Sequence, residues 1–208
     1  MTPQTINAYY NPVMNEIVFP AAILQPPFFN LQADDAVNYG GIGSVIGHEL
    51  SHGFDDKGSK YDGDGTSELV ERDRSRRVRK RSEGLVKQYG DYKPFEDMAV
   101  NGELTLGENI GDLGGLNVAY TAYKMSLDGK EAPVIDGLTG DQRFFIGWAQ
   151  VWPRHYREPE LRRRLVVDPH SPSEYRNGIV GNMEAFYEAF NIAGDAMFIP
   201  PEKRVKIW

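Results

Sequence analysis

Two histidines and a glutamate within five residues carry the strongest chemical signal in the chain. His48, Glu49 and His52 stand in the order His-Glu-Leu-Ser-His. On a helix, residues four apart lie one turn apart on one face, so both imidazoles would face the same point. Zinc binds imidazole well, and Glu49, about 60° round from His52, would reach a metal-bound water without ligating the metal. The pattern predicts a zinc site with Glu49 as general base; two surface histidines on an ordinary helix are the alternative.

The residues around this motif predict a helix that is packed on two sides. The side that carries Glu49 continues in four apolar residues, Ile42, Val45, Ile46 and Leu50. We expect this side to be buried, so that the ligands line a cleft. The other side carries glycines and serines, which would let another backbone approach closely. Asp34 and Asp35 precede the helix and are candidates for its N-cap.

A zinc ion held by two histidines needs a third protein ligand, and the segment 107–115 offers one. Glu108 and Asp112 are four residues apart there, so they would share one face of a second helix. Glu108 would complete the ligand set, and Asp112 could accept the distal N–H of a ligand histidine. The alternative is a capping glutamate followed by a surface aspartate.

The composition excludes several other classes of protein. The 208 residues contain no cysteine, so a metal site must use histidine and carboxylate. The net charge of −7 argues against nucleic-acid binding. The sequence shows no signal peptide and no apolar run long enough to span a membrane. The lack of cysteine fits a bacterial protein, either in the cytoplasm or in the cell envelope or secreted.

Short strands are expected at 7–10 and 16–19, joined by a turn at 11–15. An edge strand beside the histidines could pair with an extended peptide, although a plain structural hairpin is the favoured reading.

The segment 55–65 is rich in glycine and aspartate and predicts a surface loop. Further helices are expected over 68–89, from 108 to 123, over 141–154 and through 183–190.

Charged residues dominate the first of these helices. Glu68–Arg72 and Asp73–Arg77 are favourable pairs four residues apart. The arginine-rich part, 72–81, predicts a solvated helix face, with recognition of an acidic partner as the weaker alternative. The apolar tail 205–208 is expected to pack back on the domain.

Several segments together carry a resemblance to a known family. The chain resembles the C-terminal catalytic domain of the neprilysin and endothelin-converting-enzyme family of zinc metallopeptidases. The segments stand in family order across nearly the whole chain: Asn-Ala-Tyr-Tyr at 7–10, Ile-Val-Phe-Pro at 17–20, Ile-Leu-Gln-Pro-Pro-Phe-Phe at 23–29, His-Glu-Leu-Ser-His at 48–52, Gly-Glu-Asn-Ile-Gly-Asp at 107–112, Asp-Pro-His-Ser-Pro at 168–172, Tyr-Arg at 175–176 and the terminal tryptophan.

The resemblance implies roles for the residues that match the family pattern. The zinc ligands would be His48, His52 and Glu108, holding one Zn²⁺ per chain. Glu49 would activate the zinc-bound water, and Asp112 would orient a ligand histidine. His170 would stabilise the tetrahedral oxyanion, which needs a donor besides the metal.

The same resemblance implies a peptide-binding cleft. Asn7 and the backbone of Ala8 would hold the substrate main chain, and Arg176 would bond a substrate carbonyl, which suits its guanidinium fork. The pocket for the apolar residue after the scissile bond would be lined by Ile23, Phe28, Val45 and Trp152. From the residues alone, Ile23, Phe28 and Trp152 could equally belong to the core.

We therefore expect an α+β zincin fold of the thermolysin-like type, with residues 1–208 forming a single catalytic domain that cleaves peptides on the amino side of apolar residues. Two departures from the family pattern stand out: the upstream helical region that would cap the cleft is missing, and the segment 65–68 is short and lacks paired tryptophans. These departures suggest a trimmed, engineered or naturally minimal module. The alternative function is a zinc-stabilised module that binds peptides with little turnover.

Overall fold

A computed structural model describes residues 1–65, 72–194 and 198–207 of the chain. Two short strands, β1 (Tyr9–Asn11) and β2 (Glu16–Val18), precede a series of helices. The helices are α1 (Asp35–Asn38), α2 (Ser44–Ser51), α3 (Arg72–Gly90), α4 (Leu106–Ser126), α5 (Gly140–Gln150), α6 (Glu158–Val167), α7 (Ser173–Arg176) and α8 (Glu184–Phe190). The predicted α+β class is confirmed, with helices as the larger part.

The strands form the expected hairpin. β1 and β2 pair antiparallel, with Tyr10 opposite Ile17. The turn between them contains Asn15 at φ 47°, a left-handed conformation that asparagine tolerates better than most residues. The Asn15 side chain accepts a hydrogen bond from the Tyr10 hydroxyl at 3.0 Å, which ties the turn to its strand.

The helix that carries the two histidines begins earlier than α2 itself. α1 runs through a π-helical turn, Tyr39–Gly43, directly into α2. Asp34 accepts a hydrogen bond from the backbone N–H of Ala36 at 3.1 Å and is the N-cap, as predicted. The same carboxylate lies 3.1 Å from the buried guanidinium of Arg143 on α5, so the cap also fixes the start of this helix to its neighbour.

α2 packs against α4 through glycines, which confirms the predicted close approach on the small-residue side. A Cβ atom on Gly47 would lie 2.6 Å from the carbonyl oxygen of Gly115. A Cβ atom on Gly115 would lie 2.5 Å from the backbone nitrogen of His48. Only glycine at both positions lets the two backbones come this close, and the contact sets the distance between the two halves of the site.

The opposite side of α2 differs from the prediction. Ile42 and Val45 are buried in a small cluster with Ala8 and Ile23. Ile46 and Leu50 are 39% and 46% exposed, so the expectation that this whole side is buried was wrong. The apolar stripe is wider than the surface that the cluster can cover, and only the part nearest the hairpin is buried.

The main core lies on the far side of α4. Its largest fully buried side chains come from α3, α4, α5 and the segment after α7: Leu85, Tyr89, Ile110, Leu116, Tyr123, Phe144, Trp148 and Ile179. The tail packs back as expected, because Val205 and Ile207 are buried in this cluster.

Three helix predictions need correction or restriction. α5 ends at Gln150 rather than at residue 154, so Trp152 lies in the loop that follows. α6 was not predicted, since its ten residues contain few apolar side chains and begin beside Pro159. α3 is present from residue 72. Four features predicted from the sequence lie wholly or partly outside the described side chains: the pair Glu68–Arg72, the pair Asp73–Arg77, the short segment at 65–68 and Trp208.

Replacing Gly115 by alanine should therefore damage the fold at the place where it holds the site. The new methyl group would press on backbone atoms of α2, which cannot rotate away, and we expect a loss of about 2–3 kcal/mol in the free energy of unfolding. Denaturant unfolding measures this. Gly90→Ala is the matched control, because its Cβ meets nothing within 4 Å at the end of α3. Equal stability of the two variants would contradict the role of the glycine contact.

Candidate active site

Three side chains from α2, its C-terminal end and α4 converge on one point. The Nε2 atom of His48 lies 3.1 Å from Oε2 of Glu108, and Nε2 of His52 lies 3.7 Å from the same oxygen. One ligand atom from each of the three residues falls within 4.8 Å of the other two. Two imidazole nitrogens and one carboxylate oxygen at this spacing fit a tetrahedral metal with one position left for water.

Each of the two histidines has an aspartate behind it. His48 Nδ1 lies 2.8 Å from Oδ1 of Asp112, and His52 Nδ1 lies 2.9 Å from Oδ2 of Asp55. In each pair the Nδ1–H donates to the carboxylate, which leaves Nε2 free to face Glu108 and act as a ligand. This arrangement of tautomers is what a metal held by two histidines requires.

Asp55 corrects the prediction of a surface loop at 55–65. It is 4% exposed, and its Oδ1 accepts hydrogen bonds of 2.7 Å from the backbone N–H groups of Lys57 and Gly58. The beginning of the segment thus folds inwards and holds His52. The signal available in the sequence was the spacing of Asp55 three residues after His52, just past the end of the helix.

Asp112 is shared between a histidine and an arginine. Its Oδ2 accepts a hydrogen bond of 2.8 Å from Nε of Arg176, whose Nη2 donates to the other oxygen. Burial alone would raise the pKa of Asp112, but Arg176 and His48 outweigh it and hold the pKa below its usual range. Arg176 lies 3.9 Å from the ring centroid of Trp152, which covers the ion pair.

His170 approaches the Glu108 carboxylate, which His48 and His52 also approach. Its Nε2 lies 3.3 Å from Oε2 of Glu108, and its Nδ1 lies 2.8 Å from Oδ1 of Asp168. Asp168 also pairs with Arg164. The side chain of His170 is 42% exposed, against 7% for His48, so it can meet a molecule in the cleft.

Burial and charge set the protonation of the centre. Burial raises the pKa of Glu49, which is 5% exposed, although the charges of His48 and His52 oppose this rise. Burial would lower the pKa of His48, but its bonds to Asp112 and Glu108 prevail and raise the pKa to about 10. The proton on Nε2 of His48 occupies the position that a metal ion would take, and a metal ion bound to Nε2 would displace it.

All predicted site residues line one cleft of about 1090 Å³. The polar members are Asn7, His48, Glu49, His52, Glu108, Asp112, His170 and Arg176, and the apolar ones are Ala8, Ile23, Phe28, Val45 and Trp152. Sequence reasoning missed Asp55, Asp168 and Arg154, which line the same cleft.

Comparison with known proteins agrees with this geometry. The sequence pattern described as Peptidase family M13 matches residues 7–205. The chain belongs to peptidase family M13. It is 46% identical to human endothelin-converting enzyme 1 over 215 residues, and 44% identical to neprilysin-1 of Caenorhabditis elegans over 213 residues. The predicted resemblance is thereby confirmed.

Solved structures of M13 proteins show the same fold. An inhibitor complex of the Mycobacterium tuberculosis zinc metalloprotease ZMP1 is 58% identical to the chain, with a TM-score of 0.96 over its whole length. PepO of Lactobacillus rhamnosis is 36% identical, with a TM-score of 0.85 over 98% of the chain.

The match covers only part of each M13 relative. The chain corresponds to 27% of the human enzyme, 28% of the nematode protein and 33% of the ZMP1 chain. The matches to the human enzyme and to ZMP1 cover the whole of the present chain, and the match to the nematode protein covers 98% of it. Among the described residues, no helix combines the length and apolar character needed to cross a bilayer.

The Asp55–His52 pair can be tested through metal affinity. In Asp55→Ala the imidazole loses the partner that fixes its tautomer, and we expect the affinity for Zn²⁺ to fall about 10–100-fold. A titration against a competing chelator measures this. Asp64→Ala removes the same charge from the exposed end of the same segment and should bind Zn²⁺ like the wild type. Unchanged affinity in Asp55→Ala would refute the role of Asp55.

Proposed function

We propose that the chain is a zinc-dependent endopeptidase that cleaves peptides on the amino side of apolar residues. The observation that carries the proposal is the convergence of His48, His52 and Glu108 in a cleft that also holds a buried glutamate, Glu49. Membership of family M13 supports a metallopeptidase. The relatives are about three to four times longer than this chain, so the proposed activity depends on the residues that the chain itself supplies.

His48, His52 and Glu108 would hold one zinc ion per chain. A zinc ion at this place supplies Lewis acidity, polarising a carbonyl and lowering the pKa of a water molecule. Glu108 lies in the first turn of α4, where the helix dipole stabilises its negative charge. Asp112 and Asp55 hold the two imidazoles in the orientation that this ligand set needs.

Glu49 would act as general base. Its carboxylate takes a proton from the attacking water and later passes it to the leaving amine. Burial, which raises its pKa, strengthens it as a base towards that water. It follows His48 on α2 and lines the same cleft as both histidines, which would keep the carboxylate close to the reacting carbonyl without making it a ligand.

His170 would stabilise the oxyanion that forms on the substrate carbonyl. Asp168 holds Nδ1, so the exposed edge of the ring with Nε2 points into the cleft. Arg176 would bond a second substrate carbonyl, with Asp112 and Trp152 fixing its guanidinium. A donor that is already in place stabilises the transition state without reorganisation.

The remaining cleft residues would bind the peptide itself. Asn7 and the backbone of Ala8 lie at the start of the β1 hairpin, where an extended main chain could pair with them. Ile23, Phe28, Val45 and Trp152 give the cleft an apolar wall, which favours an apolar residue after the scissile bond.

We further propose that residues 1–208 act as one catalytic domain, whose cleft an upstream helical region would cover in the longer M13 proteins. The 58% identity to a mycobacterial protein supports a bacterial origin.

The Glu49→Gln variant tests the proposed base. The amide cannot accept the proton from water, so kcat should fall by about 10²–10⁴-fold while zinc content stays that of the wild type. Hydrolysis of a quenched fluorescent peptide, with zinc determined on both proteins, measures this. Full activity in Glu49→Gln would refute its role. Zinc in both proteins and cleavage in neither would favour the peptide-binding module without turnover.

The His170→Ala variant separates transition-state stabilisation from substrate binding. An oxyanion donor acts mainly in the transition state, so kcat should fall by about 10²–10³-fold with a small change in KM. Steady-state kinetics on the same peptide measures both constants. His155→Ala is the matched control, because His155 is an exposed histidine outside the cleft lining. An effect confined to KM would argue against the oxyanion role.

A further inference from the structure

One fully buried polar side chain beside the candidate metal site has no part in the proposed reaction. Asn109 follows Glu108 on α4 and is 0% exposed. Consecutive residues of a helix point about 100° apart, so Asn109 is directed to another side of α4 than Glu108. A buried amide is costly unless its donor and its acceptor both have partners. The partners of Asn109 therefore indicate what this side chain does.

Both ends of the Asn109 amide are hydrogen-bonded. Its Nδ2 donates to Oγ1 of Thr105 at 3.0 Å, and its Oδ1 accepts from Oγ of Ser171 at 2.9 Å. The second bond joins residues that are 62 positions apart, and it connects α4 to the loop between α6 and α7. Ser171 is 3% exposed, so this bond is shielded from water.

The neighbours of Asn109 allow its amide only one orientation. The Thr105 hydroxyl has a single proton, which it donates to the backbone oxygen of Asn101 at 3.1 Å. Its oxygen can then only accept, so the amide nitrogen must face Thr105 and the amide oxygen must face Ser171. The Ser171 hydroxyl is left to donate. The three hydrogen bonds thus have a fixed direction, and each depends on the next.

Ser171 comes directly after His170, the proposed oxyanion donor. Asp168 holds His170 from one side, since its Oδ1 accepts from the backbone N–H at 3.0 Å and lies 2.8 Å from Nδ1. The bond from Ser171 to Asn109 holds the main chain on the other side. α4 also carries Glu108, whose Oε2 is 3.3 Å from Nε2 of His170. One helix therefore positions both the third proposed ligand and the residue next to the donor.

We propose that Asn109 is a positioning residue for the reaction, which holds His170 beside the metal site by binding Ser171. This inference rests on the proposed peptidase function and adds to it a residue that acts without touching the substrate. A donor that is displaced by a fraction of an ångström loses part of its effect on the transition state. Loss of the Asn109–Ser171 bond should therefore lower kcat by about tenfold and change KM little.

Two variants break the bond, Ser171→Ala and Asn109→Ala, and the first of them removes a single oxygen atom. Their kcat and KM on the quenched fluorescent peptide and their affinity for Zn²⁺ are compared with those of the wild type. Asn182→Ala is the matched control, because Asn182 is 5% exposed, bridges Gln88 and the backbone of Val205, and lies outside the cleft lining. We expect the loss of kcat in the first two variants only, with wild-type zinc affinity. Unchanged kcat in both would refute the proposal.

A double-mutant cycle with His170→Ala separates positioning from general damage to the fold. If Ser171 acts through His170, then Ser171→Ala should have no further effect on kcat once the imidazole is gone. An equal loss of kcat in both backgrounds would overturn the proposal. A fall in zinc affinity that accounts for the loss of kcat would overturn it too, because the bond would then support Glu108 rather than His170.

A spectroscopic measurement keeps the test independent of turnover. Carbon-13 relaxation of the histidine rings is recorded on the zinc-loaded protein, and His170→Ala identifies the signal of His170. Ser171→Ala should increase the motion of that ring and leave the rings of His48 and His52 unchanged. If the wild type cleaves no peptide, the proposed function fails, and this measurement still decides the role of the Asn109–Ser171 bond. Equal motion of the His170 ring in wild type and Ser171→Ala refutes that role.

Discussion

The close approach of α2 and α4 is the constraint on which the site depends. Two of the three proposed zinc ligands, His48 and His52, lie on or just after α2 and the third, Glu108, lies on α4, so their mutual distance follows from the separation of the two backbones. Glycines at 47 and 115 allow contacts that any side chain would prevent. The same approach continues at Gly111, where a Cβ atom would lie 2.8 Å from the ring of His48. The glycines let the larger side chains of the candidate metal site converge, so the packing of the two helices determines the geometry of that site.

The buried charges are stable because each one has a partner within the same network. Asp112 and Arg176 are 1% and 9% exposed, and either alone would leave an uncompensated charge in the interior, at a cost of about 3–5 kcal/mol. Together they satisfy each other, and Oδ1 of Asp112, which accepts a hydrogen bond from Nη2 of Arg176, also accepts one from Nδ1 of His48. The ion pair thus adds orientation rather than net stability. It links α2, α4 and α7, so that His48 and Arg176 are positioned by one carboxylate.

Sequence reasoning predicted those parts of the site that follow from local spacing. The four-residue interval between His48 and His52, and between Glu108 and Asp112, defines helix faces, and the structure has both helices. Asp55 was missed because a loop aspartate has no periodic pattern that shows it to be buried. α6 was missed because its charged residues outnumber its apolar ones, and it is held by pairs such as Arg162–Glu158. The exposure of Ile46 and Leu50 could not be predicted either, since periodicity shows which residues share a face but not what covers it.

Three histidine–aspartate pairs surround Glu108, and exposure rather than chemistry distinguishes their roles. His48–Asp112, His52–Asp55 and His170–Asp168 have nearly the same Nδ1–oxygen distances, from 2.8 to 2.9 Å. Each therefore presents Nε2 to the cleft in a fixed orientation. The first two histidines are largely shielded from solvent and lie one helical turn apart, which suits permanent ligands. The third comes from a loop and is 42% exposed, so its Nε2 is accessible from the cleft, as the proposed oxyanion role requires.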